Sequence, residues 1–377
     1  MQPSCAPGSS PISQSDLTEN VAQRIPLLVI AGPTACGKTE AALWVAEAVP
    51  AEIVSADSMQ IYKYMDIGTA KPTPQQRARV PIHLVDFVDP CQPYTVADFQ
   101  RQAQQAVLDI HGRTRLPILC GGTGLYLRAV LQHLDFPPAA GPQQRTIRAR
   151  LQAQAETQGS PALYRRLVEL DPLAAAGIEP NDTKRIIRAL EVIETTGELF
   201  SVQRRIDETP AVDYNSRGFV LTRPRSRLYA GIERRVDEML QSGWLAEVEA
   251  LRQRGCSRRD QAMQAIGYRH LLAHLAGEAG YEATVRLIKR DTRRFAKRQL
   301  TWFRAAARSN PAAQTTAPSH KSALSEAEEQ SAAGSLSRSS GFQPETIAFE
   351  WLQWATQDQF EDCVERMIQV AKRLYRP

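Results

Sequence analysis

The loop from Gly32 to Thr39 has residue types and a spacing suited to holding a phosphate group. It reads GPTACGKT, a G-x-x-x-x-G-K-T pattern between an apolar run and a helical one. Gly32 and Gly37 let the backbone turn so that successive N–H groups face one anion. Lys38 adds positive charge, and the Thr39 hydroxyl can bind Mg²⁺. We therefore predict a phosphate site. The other loop residues in it are Pro33, Thr34, Ala35 and Cys36.

Asp57 is the second candidate for chemistry, because it ends the apolar run AEIVSAD at residues 51–57. In nucleotide hydrolases an acid in this place holds Mg²⁺ through water. A carboxylate beside a phosphate site could equally be a general base, or it could simply close a turn. Its position alone leaves the three roles open.

Three apolar runs would position these candidates, and each ends in polar or glycine-rich residues. They lie at 25–32, 51–57 and 115–124, and each is typical of a buried parallel strand. Helical patterns alternate with them. This order predicts an α/β protein: a P-loop doubly wound parallel sheet core with a mostly helical insertion domain. Ligands are expected at the carboxyl ends of its strands.

The remaining pattern divides the chain into segments. We expect a disordered tail at 1–24, a catalytic core at 25–138 and 213–308, a helical insertion at 139–212, a flexible low-complexity segment at 309–345, and a last strand and helix at 346–377. The first twenty residues lack the basic and apolar regions of a secretory signal.

Charge is unevenly distributed along the chain. The net charge is +5, yet between residues 184 and 308 there are 25 Lys and Arg against 15 Asp and Glu. This excess favours a polyanionic partner, nucleic acid first, although solvated arginine-rich helix faces are the ordinary alternative. The six cysteines show no metal-binding spacing. With no apolar run of membrane-spanning length, we predict a cytoplasmic protein that contacts no membrane.

Six blocks of the sequence, taken together, resemble the tRNA dimethylallyltransferases, which prenylate adenosine 37 beside the anticodon. In order along residues 25–308 they are GPTACGKT, DSMQIYKYMDIGTAKP, GGTGLY, NDTKRIIRALEV, QAIGYR and TRRFAKRQLTWFR. The resemblance implies that the loop holds the diphosphate of dimethylallyl diphosphate rather than ATP. It also implies a monomer, with the tRNA anticodon loop as its partner. No C-terminal zinc finger is visible, which favours a bacterial-type enzyme.

The resemblance also implies roles for individual residues. Asp57 would be the base that removes a proton from N6 of adenine. Lys38, the loop backbone and Mg²⁺ near Thr39 would stabilise the leaving diphosphate. The implied tRNA contacts are Asp57, Ser58, Met59, Gln60, Thr123, Arg145, Lys184, Arg185, Ile186, Ile187, Arg188, Gln264, Ala265, Ile266, Gly267, Tyr268 and Arg269.

One position departs from the family pattern. Gly231 stands where the family usually has an arginine thought to hold the diphosphate, and Arg227 and Arg234 are the nearest substitutes in sequence. Phe295 and Trp302 lie seven residues apart on a predicted helix, which is more typical of packing than of base stacking.

Three other functions stay open from the sequence. The loop and Asp57 would also suit a P-loop kinase or NTPase. An adenylate (cytokinin-type) isopentenyltransferase would need the same chemistry but no RNA-binding surface, which the basic second half argues against. A non-catalytic RNA-binding protein with this fold is disfavoured, because Lys38, Thr39 and Asp57 are all intact.

Overall fold

The computed structural model describes residues 24–132, 134, 141–202, 214–308 and 349–375. Almost all of the predicted tail and the whole predicted flexible segment at 309–345 lie outside these ranges. The strands are β1 (Ile25–Ala31), β2 (Ala51–Ser55), β3 (Ile82–His83), β4 (Leu116–Gly121), β5 (Tyr214–Thr222) and β6 (Phe349–Gln353).

Thirteen α-helices and one 3₁₀ turn (Ala262–Gln264) lie within the described ranges. The helices are α1 (Lys38–Ala48), α2 (Pro74–Arg79), α3 (Val96–Gly112), α4 (Gly124–Leu131), α5 (Pro142–Gln158), α6 (Ser160–Leu170), α7 (Pro172–Ala176), α8 (Thr183–Thr196), α9 (Arg225–Gln241), α10 (Trp244–Gln253), α11 (Tyr268–Leu275), α12 (Tyr281–Arg308) and α13 (Gln357–Leu374). None of the described helices is long and apolar enough to cross a membrane.

All six strands pair in parallel, in the order β3-β2-β4-β1-β5-β6. The predicted α/β fold with a parallel sheet is thus confirmed, as are the strands expected at 25–32, 51–57 and 115–124. The sequence analysis missed β3, because two residues are too few to show a strand period. β1 lies inside the sheet between β4 and β5, so its carboxyl end meets those of its neighbours.

The sheet is buried on both faces, and β1 shows how. Leu27 and Val29 join one apolar cluster, which also contains Phe99 of α3. Leu28 and Ile30 point the other way, into a cluster built with α1 and α13. All four side chains are fully buried. A strand covered on both faces must be apolar at every position, which explains the continuous apolar runs in the sequence.

The four helices α5 to α8 pack around an apolar cluster of their own, with Leu151, Leu167 and Leu190 among its buried members. Asp171 is the buried polar residue that ties its loops together. Its carboxylate accepts hydrogen bonds from the N–H groups of Ala174, at 3.0 Å, and Ser201, at 2.8 Å. Burial opposes ionisation, but these hydrogen bonds outweigh it and hold the pKa of Asp171 below its ordinary value.

We predict that Asp171→Ala lowers the free energy of unfolding by about 1–3 kcal/mol at pH 7, because two buried N–H groups lose their acceptor. The folded pKa lies below the unfolded one. The carboxylate therefore stabilises the fold above the unfolded pKa of about 3.9, and this contribution is lost as pH falls through the folded pKa. Urea unfolding at pH 7 and pH 3 measures both effects.

Asp182→Ala is the matched control, since Asp182 caps α8 from a more exposed position by accepting the N–H of Arg185. Its loss should cost about 1 kcal/mol or less. An Asp171→Ala cost that equals the control, or that persists unchanged at pH 3, would contradict the role given to the buried carboxylate.

Candidate active site at the carboxyl edge of the sheet

The loop between β1 and α1 has the backbone geometry of an anion cradle. Gly37 precedes α1 with φ 91°, and no side chain caps the first turn, so the N–H groups there stay open. Gly32 passes so close to β5 that an added Cβ would lie 2.3 Å from the Leu221 carbonyl oxygen. Lys38 folds back across the loop, and its Nζ donates to the Pro33 carbonyl at 3.3 Å.

Asp57 follows β2 at the same edge of the sheet. Its Oδ1 accepts the N–H of Met59 at 2.9 Å, which fixes the carboxylate by a local turn. The neighbouring residue, Ser58, donates its N–H to the hydroxyl of Thr123 at 3.1 Å. Thr123 belongs to the glycine-rich turn after β4. Asp57 is therefore positioned by two strand ends at once.

Gln299 of α12 joins this edge of the sheet to the long basic helix. Its Oε1 accepts the N–H of Thr34 in the phosphate loop, and its Nε2 donates to the Gly122 carbonyl, both at 2.9 Å. The side chain is 7% exposed. One amide thus ties together the loop after β1, the turn after β4 and α12.

A cavity of about 310 Å³ opens where these elements meet. Its lining combines polar groups with apolar side chains of α9 and α12. The predicted site residues that line it are Thr34, Ala35, Asp57, Ser58, Met59, Thr123, Gln264, Ala265, Ile266 and Tyr268. Its apolar lining includes Ile232, Val236, Met239, Trp244 and Phe295. The arrangement suits a ligand with an anionic part and a hydrocarbon part.

Asp57 also lines a second, much smaller cavity of about 20 Å³, together with Lys38, Thr39 and Ser55. The described residues include no group of three or more His, Cys, Asp or Glu that could hold a metal ion. A cation here would rest on hydroxyl and carboxylate oxygens and on oxygens of a ligand, which is the donor chemistry of Mg²⁺.

Arg235 of α9 is a site residue that the sequence analysis missed. It lines the large cavity, and among the described residues it has no hydrogen-bond or ion-pair partner. Burial lowers the pKa of its guanidinium, and the nearby Asp57 carboxylate opposes that shift. The sequence pattern could have indicated it. Leu228, Ile232 and Val236 are buried at four-residue steps, and position 235 lies beside that apolar stripe.

The neighbourhood of Gly231 differs from the sequence expectation. Arg227 is exposed, and Arg234 is 72% exposed and pairs with Glu238, so neither substitutes at the cavity wall. Arg223, just after β5, also lies outside the cavity lining, but its Nη1 is 3.5 Å from where a Cβ of residue 231 would stand. Burial and the charges of its arginine neighbours lower the pKa of Arg223. Its buried Nε has no partner within the described ranges.

Trp354, just beyond β6, closes the outer side of the phosphate loop. Its indole Nε1 donates to the Cys36 carbonyl at 2.9 Å. The Arg223 guanidinium lies 4.0 Å from the centre of its ring, a cation–π contact. The C-terminal strand and helix therefore take part in shaping the loop, which nothing in their sequence indicated.

Glu247 of α10 positions the opposite wall. Its carboxylate accepts the N–H groups of Asp66 and Ile67, at 2.7 and 2.8 Å, and the hydroxyl of Tyr268 at 2.6 Å. Trp244 packs so tightly against Gly68 that an added Cβ would lie 2.0 Å from its Nε1. The loop that carries Asp57 is thereby fixed against α10 and α11.

Several predicted tRNA contacts lie elsewhere. In α8, Lys184 and Arg185 are exposed, but the side chains of Ile186 and Ile187 are buried in the core of the insertion and are not available for contact. Arg188 pairs with Glu191 at 3.4 Å. Arg145 is exposed on α5.

Two further side chains in the predicted set are engaged inside the fold. Gln60 is buried, and its amide donates to the carbonyls of Thr69 and Ala70. Arg269 is held by Asp291 at 3.0 Å.

The packing prediction for the aromatic residues of α12 was half right. Trp302 packs against the core and against Gly124, as expected. Phe295 instead lines the cavity, with Arg298 beside its ring, so its assignment to packing alone was wrong.

Comparison with known proteins places this site in a family. The family model described as IPP transferase matches residues 60–306, and one described as isopentenyl transferase matches residues 25–81. The chain belongs to the IPP transferase family. The matched region covers the Asp57 loop from Gln60 onward, the insertion, and the residues of α9 to α12 that line the cavity.

Curated relatives and solved structures agree with this assignment. The tRNA dimethylallyltransferase of Syntrophobacter fumaroxidans is 45% identical over 281 residues, covering 74% of this chain and 81% of the relative. That of Symbiobacterium thermophilum is 49% identical over 282 residues, covering 74% and 87%. The tRNA isopentenylpyrophosphate transferase structure from Bacillus halodurans is 34% identical, with a TM-score of 0.59 over 93% of this chain and 99% of that one.

A eukaryotic dimethylallyltransferase acting on tRNA is also similar in structure. It is 29% identical, with a TM-score of 0.62 over 74% of this chain and 69% of that chain. The resemblance to this family, which the sequence analysis based on six short blocks, is thus confirmed.

We predict that Gln299→Ala loosens the phosphate loop of this IPP transferase family member. Both hydrogen bonds of the amide are lost, so unfolding should become about 1–3 kcal/mol easier. Hydrogen exchange should quicken at residues 32–37 and around Gly122. Urea unfolding and exchange measured by mass spectrometry check the two effects.

Gln253→Ala is the control, because Gln253 is exposed on α10 and makes one long hydrogen bond at 3.4 Å to Glu249. It should change neither measurement. Equal exchange at residues 32–37 in the two variants would show that Gln299 does not hold the loop.

Proposed function

We propose that the chain transfers the dimethylallyl group from dimethylallyl diphosphate to N6 of adenosine 37 in tRNA, releasing diphosphate. The observation that carries the proposal is the shared cavity. A phosphate loop and a carboxylate open into a space whose remaining wall is largely apolar, in a member of the IPP transferase family. A diphosphate with a short hydrocarbon group matches both halves of that lining.

The diphosphate would be held by the open N–H groups of the loop and by nearby cations. Lys38 can leave the Pro33 carbonyl, to which it makes only a long hydrogen bond, and turn to phosphate oxygens. Arg235 reaches the same cavity without a described partner of its own. Burial, and then the charges of Arg234 and Arg227, lower the pKa of Arg223, so an anion bound beside it would favour its charged form.

Mg²⁺ is the cofactor we propose, held by the Thr39 hydroxyl and by diphosphate oxygens. When bound it would supply positive charge to the leaving group. The oxygens of Thr39, Ser55 and Asp57 around the small cavity are consistent with a hard cation of this kind.

The transfer itself needs a base and a stabilised leaving group. N6 of adenine attacks C1 of the allyl group as the C1–O bond to diphosphate breaks. The proton on N6 passes to the Asp57 carboxylate, which lies in the cavity and is fixed by the N–H of Met59. Negative charge gathers on the diphosphate, where Arg235 and the loop N–H groups would stabilise it and to which Lys38 can turn.

The adenine must leave the anticodon-loop stack to reach Asp57. The cavity offers Thr123 and Ser58 for hydrogen bonding, with Tyr268 and Phe295 among its aromatic walls. For the rest of the tRNA we propose the exposed cations Arg145, Lys184 and Arg185, with Arg188 at the edge of the same helix. Protein–RNA contacts of this kind position the phosphate backbone without reading sequence. We expect a monomer to suffice, since every proposed group comes from one chain.

The direct test is a transfer assay with Mg²⁺, labelled dimethylallyl diphosphate and an unmodified tRNA carrying A36-A37-A38. We expect label on the tRNA, and none when A37 is replaced by G. Free AMP and ATP serve as competing substrates in parallel. Label only on AMP would favour the adenylate isopentenyltransferase, and nucleotide hydrolysis without transfer would favour a kinase or NTPase.

Asp57→Asn should lower turnover of bound tRNA by about 10²–10⁴-fold, because the amide cannot accept the N6 proton. Affinity for tRNA should change much less, as single-turnover rates and filter binding will show. Asp237→Asn is the control on α9. Asp237 pairs with Lys289 outside the cavity, and its loss should leave the rate within about twofold.

Lys184→Ala should weaken tRNA binding. The slope of log K against log salt should become shallower by about 1, the change expected when one phosphate contact is lost. The matched control is Arg165→Ala, an exposed cation on α6 of the same insertion. Binding titrations between about 50 and 200 mM salt, a range over which such affinities change strongly, give the slopes. Identical slopes for wild type and Lys184→Ala would assign Lys184 to an ordinary solvated face.

A further inference from the structure

Two cysteines far apart in sequence meet outside the cavity. The Sγ atoms of Cys91 and Cys256 lie 2.7 Å apart, although 165 residues separate them along the chain. Cys91 is exposed in the turn before α3, and Cys256 is 4% exposed just after α10. Neither residue lines the cavity or contacts the phosphate loop, so the proposed transfer leaves the pair unexplained.

The backbone holds both thiols in place. The Cys91 N–H donates to the Asp89 carboxylate at 2.9 Å, and the Cys256 N–H donates to the Leu251 carbonyl at 3.1 Å. Close by, the Tyr94 N–H donates to the Gln261 side chain at 3.4 Å. The two segments are therefore already docked, and joining the sulfurs requires only small side-chain movements.

The two thiols differ in their accessibility to solvent. Cys91 is open to solvent and can meet an oxidant first. Burial, and then the neighbouring Cys91 with Asp260 and Asp89, raises the pKa of Cys256 to about 12. Cys256 therefore stays a protonated thiol, shielded from solvent, until its partner has been oxidised.

We propose that Cys91 and Cys256 form an oxidisable dithiol site that a peroxide converts into an intramolecular disulfide. The Cys91 sulfur attacks the peroxide, gaining one oxygen as sulfenic acid while water is released. The Cys256 sulfur then attacks the Cys91 sulfur. The S–S bond forms as the S–O bond breaks, and the hydroxyl leaves as water with the Cys256 proton. Two thiols and one hydrogen peroxide give one disulfide and two water molecules.

Such a bond would connect the α/β core to a wall of the cavity. Cys91 precedes α3, which packs on the sheet, whereas Cys256 begins the segment that leads to Gln264, Ala265 and Ile266. Those three residues line the cavity. The disulfide would tie the wall to the core by a covalent bond, and by closing a long loop of chain it would also stabilise the fold.

The first test treats the full-length, reduced protein with stoichiometric hydrogen peroxide under native conditions. Differential alkylation and peptide mapping should find one Cys91–Cys256 disulfide within a single chain. Disulfides that pair other cysteines, cross-linked dimers, or no loss of thiols at all would overturn the proposal.

Trapping the intermediate separates the two roles. In Cys256→Ser the Cys91 sulfenic acid cannot be resolved and should react with dimedone, whereas the wild type should show little label. Cys363→Ala, which removes a buried thiol of α13, should cross-link like the wild type. If Cys256→Ser does not fold, Cys91→Ser at the exposed position still tests the pair, because its Cys256 should resist peroxide. Oxidation of Cys256 at the wild-type rate in Cys91→Ser would contradict the order proposed.

Thermal unfolding tests whether the disulfide stabilises the fold. The oxidised wild type should unfold about 5 °C or more above the reduced protein, because the cross-link restricts the unfolded chain. Cys91→Ser should show no such difference after the same treatment. An unchanged unfolding midpoint in a fully cross-linked wild type would contradict the stabilising role given to the disulfide.

Discussion

The site depends on one buried amide. Gln299 accepts the N–H of Thr34 and donates to the carbonyl of Gly122, so a helix that is distant in sequence is fixed across two neighbouring strand ends. A carboxylate could not donate and an ammonium could not accept, whereas the amide of Gln299 does both. With α12 held there, Phe295 and Arg298 come to line the cavity above Asp57. These two hydrogen bonds therefore position the α12 side of the cavity.

Around this anchor the molecule separates two tasks. The sheet edge supplies what any P-loop protein has: open N–H groups, a lysine, a hydroxyl and an acid. The layer of α9 to α12 supplies the apolar wall and Arg235. Glu247 locks that layer to the Asp57 loop by accepting the N–H groups of Asp66, Ile67 and Gly68. The helices that cover the loop thus supply the apolar surface that a hydrocarbon-bearing diphosphate needs.

The sequence predicted the parts of the site that are local. The phosphate loop, Asp57 and the turn at Thr123 each carry their signal within a few residues, and parallel strands bring their carboxyl ends together. Gln299, Trp354 and Glu247 act on partners 265, 318 and about 180 residues away, and no spacing rule reaches that far. Phe295 was misassigned because helical periodicity distinguishes buried from exposed faces but cannot distinguish a core from a cavity wall.

The bond from Trp354 to the Cys36 carbonyl has a consequence for how the protein is made. Trp354 lies 318 residues after Cys36 in the sequence, so Trp354 and β6 leave the ribosome long after the phosphate loop. Until they emerge, β5 is an open sheet edge and the loop lacks its outer contact. The nascent chain therefore carries the whole phosphate motif long before Trp354 can close the outer side of that loop.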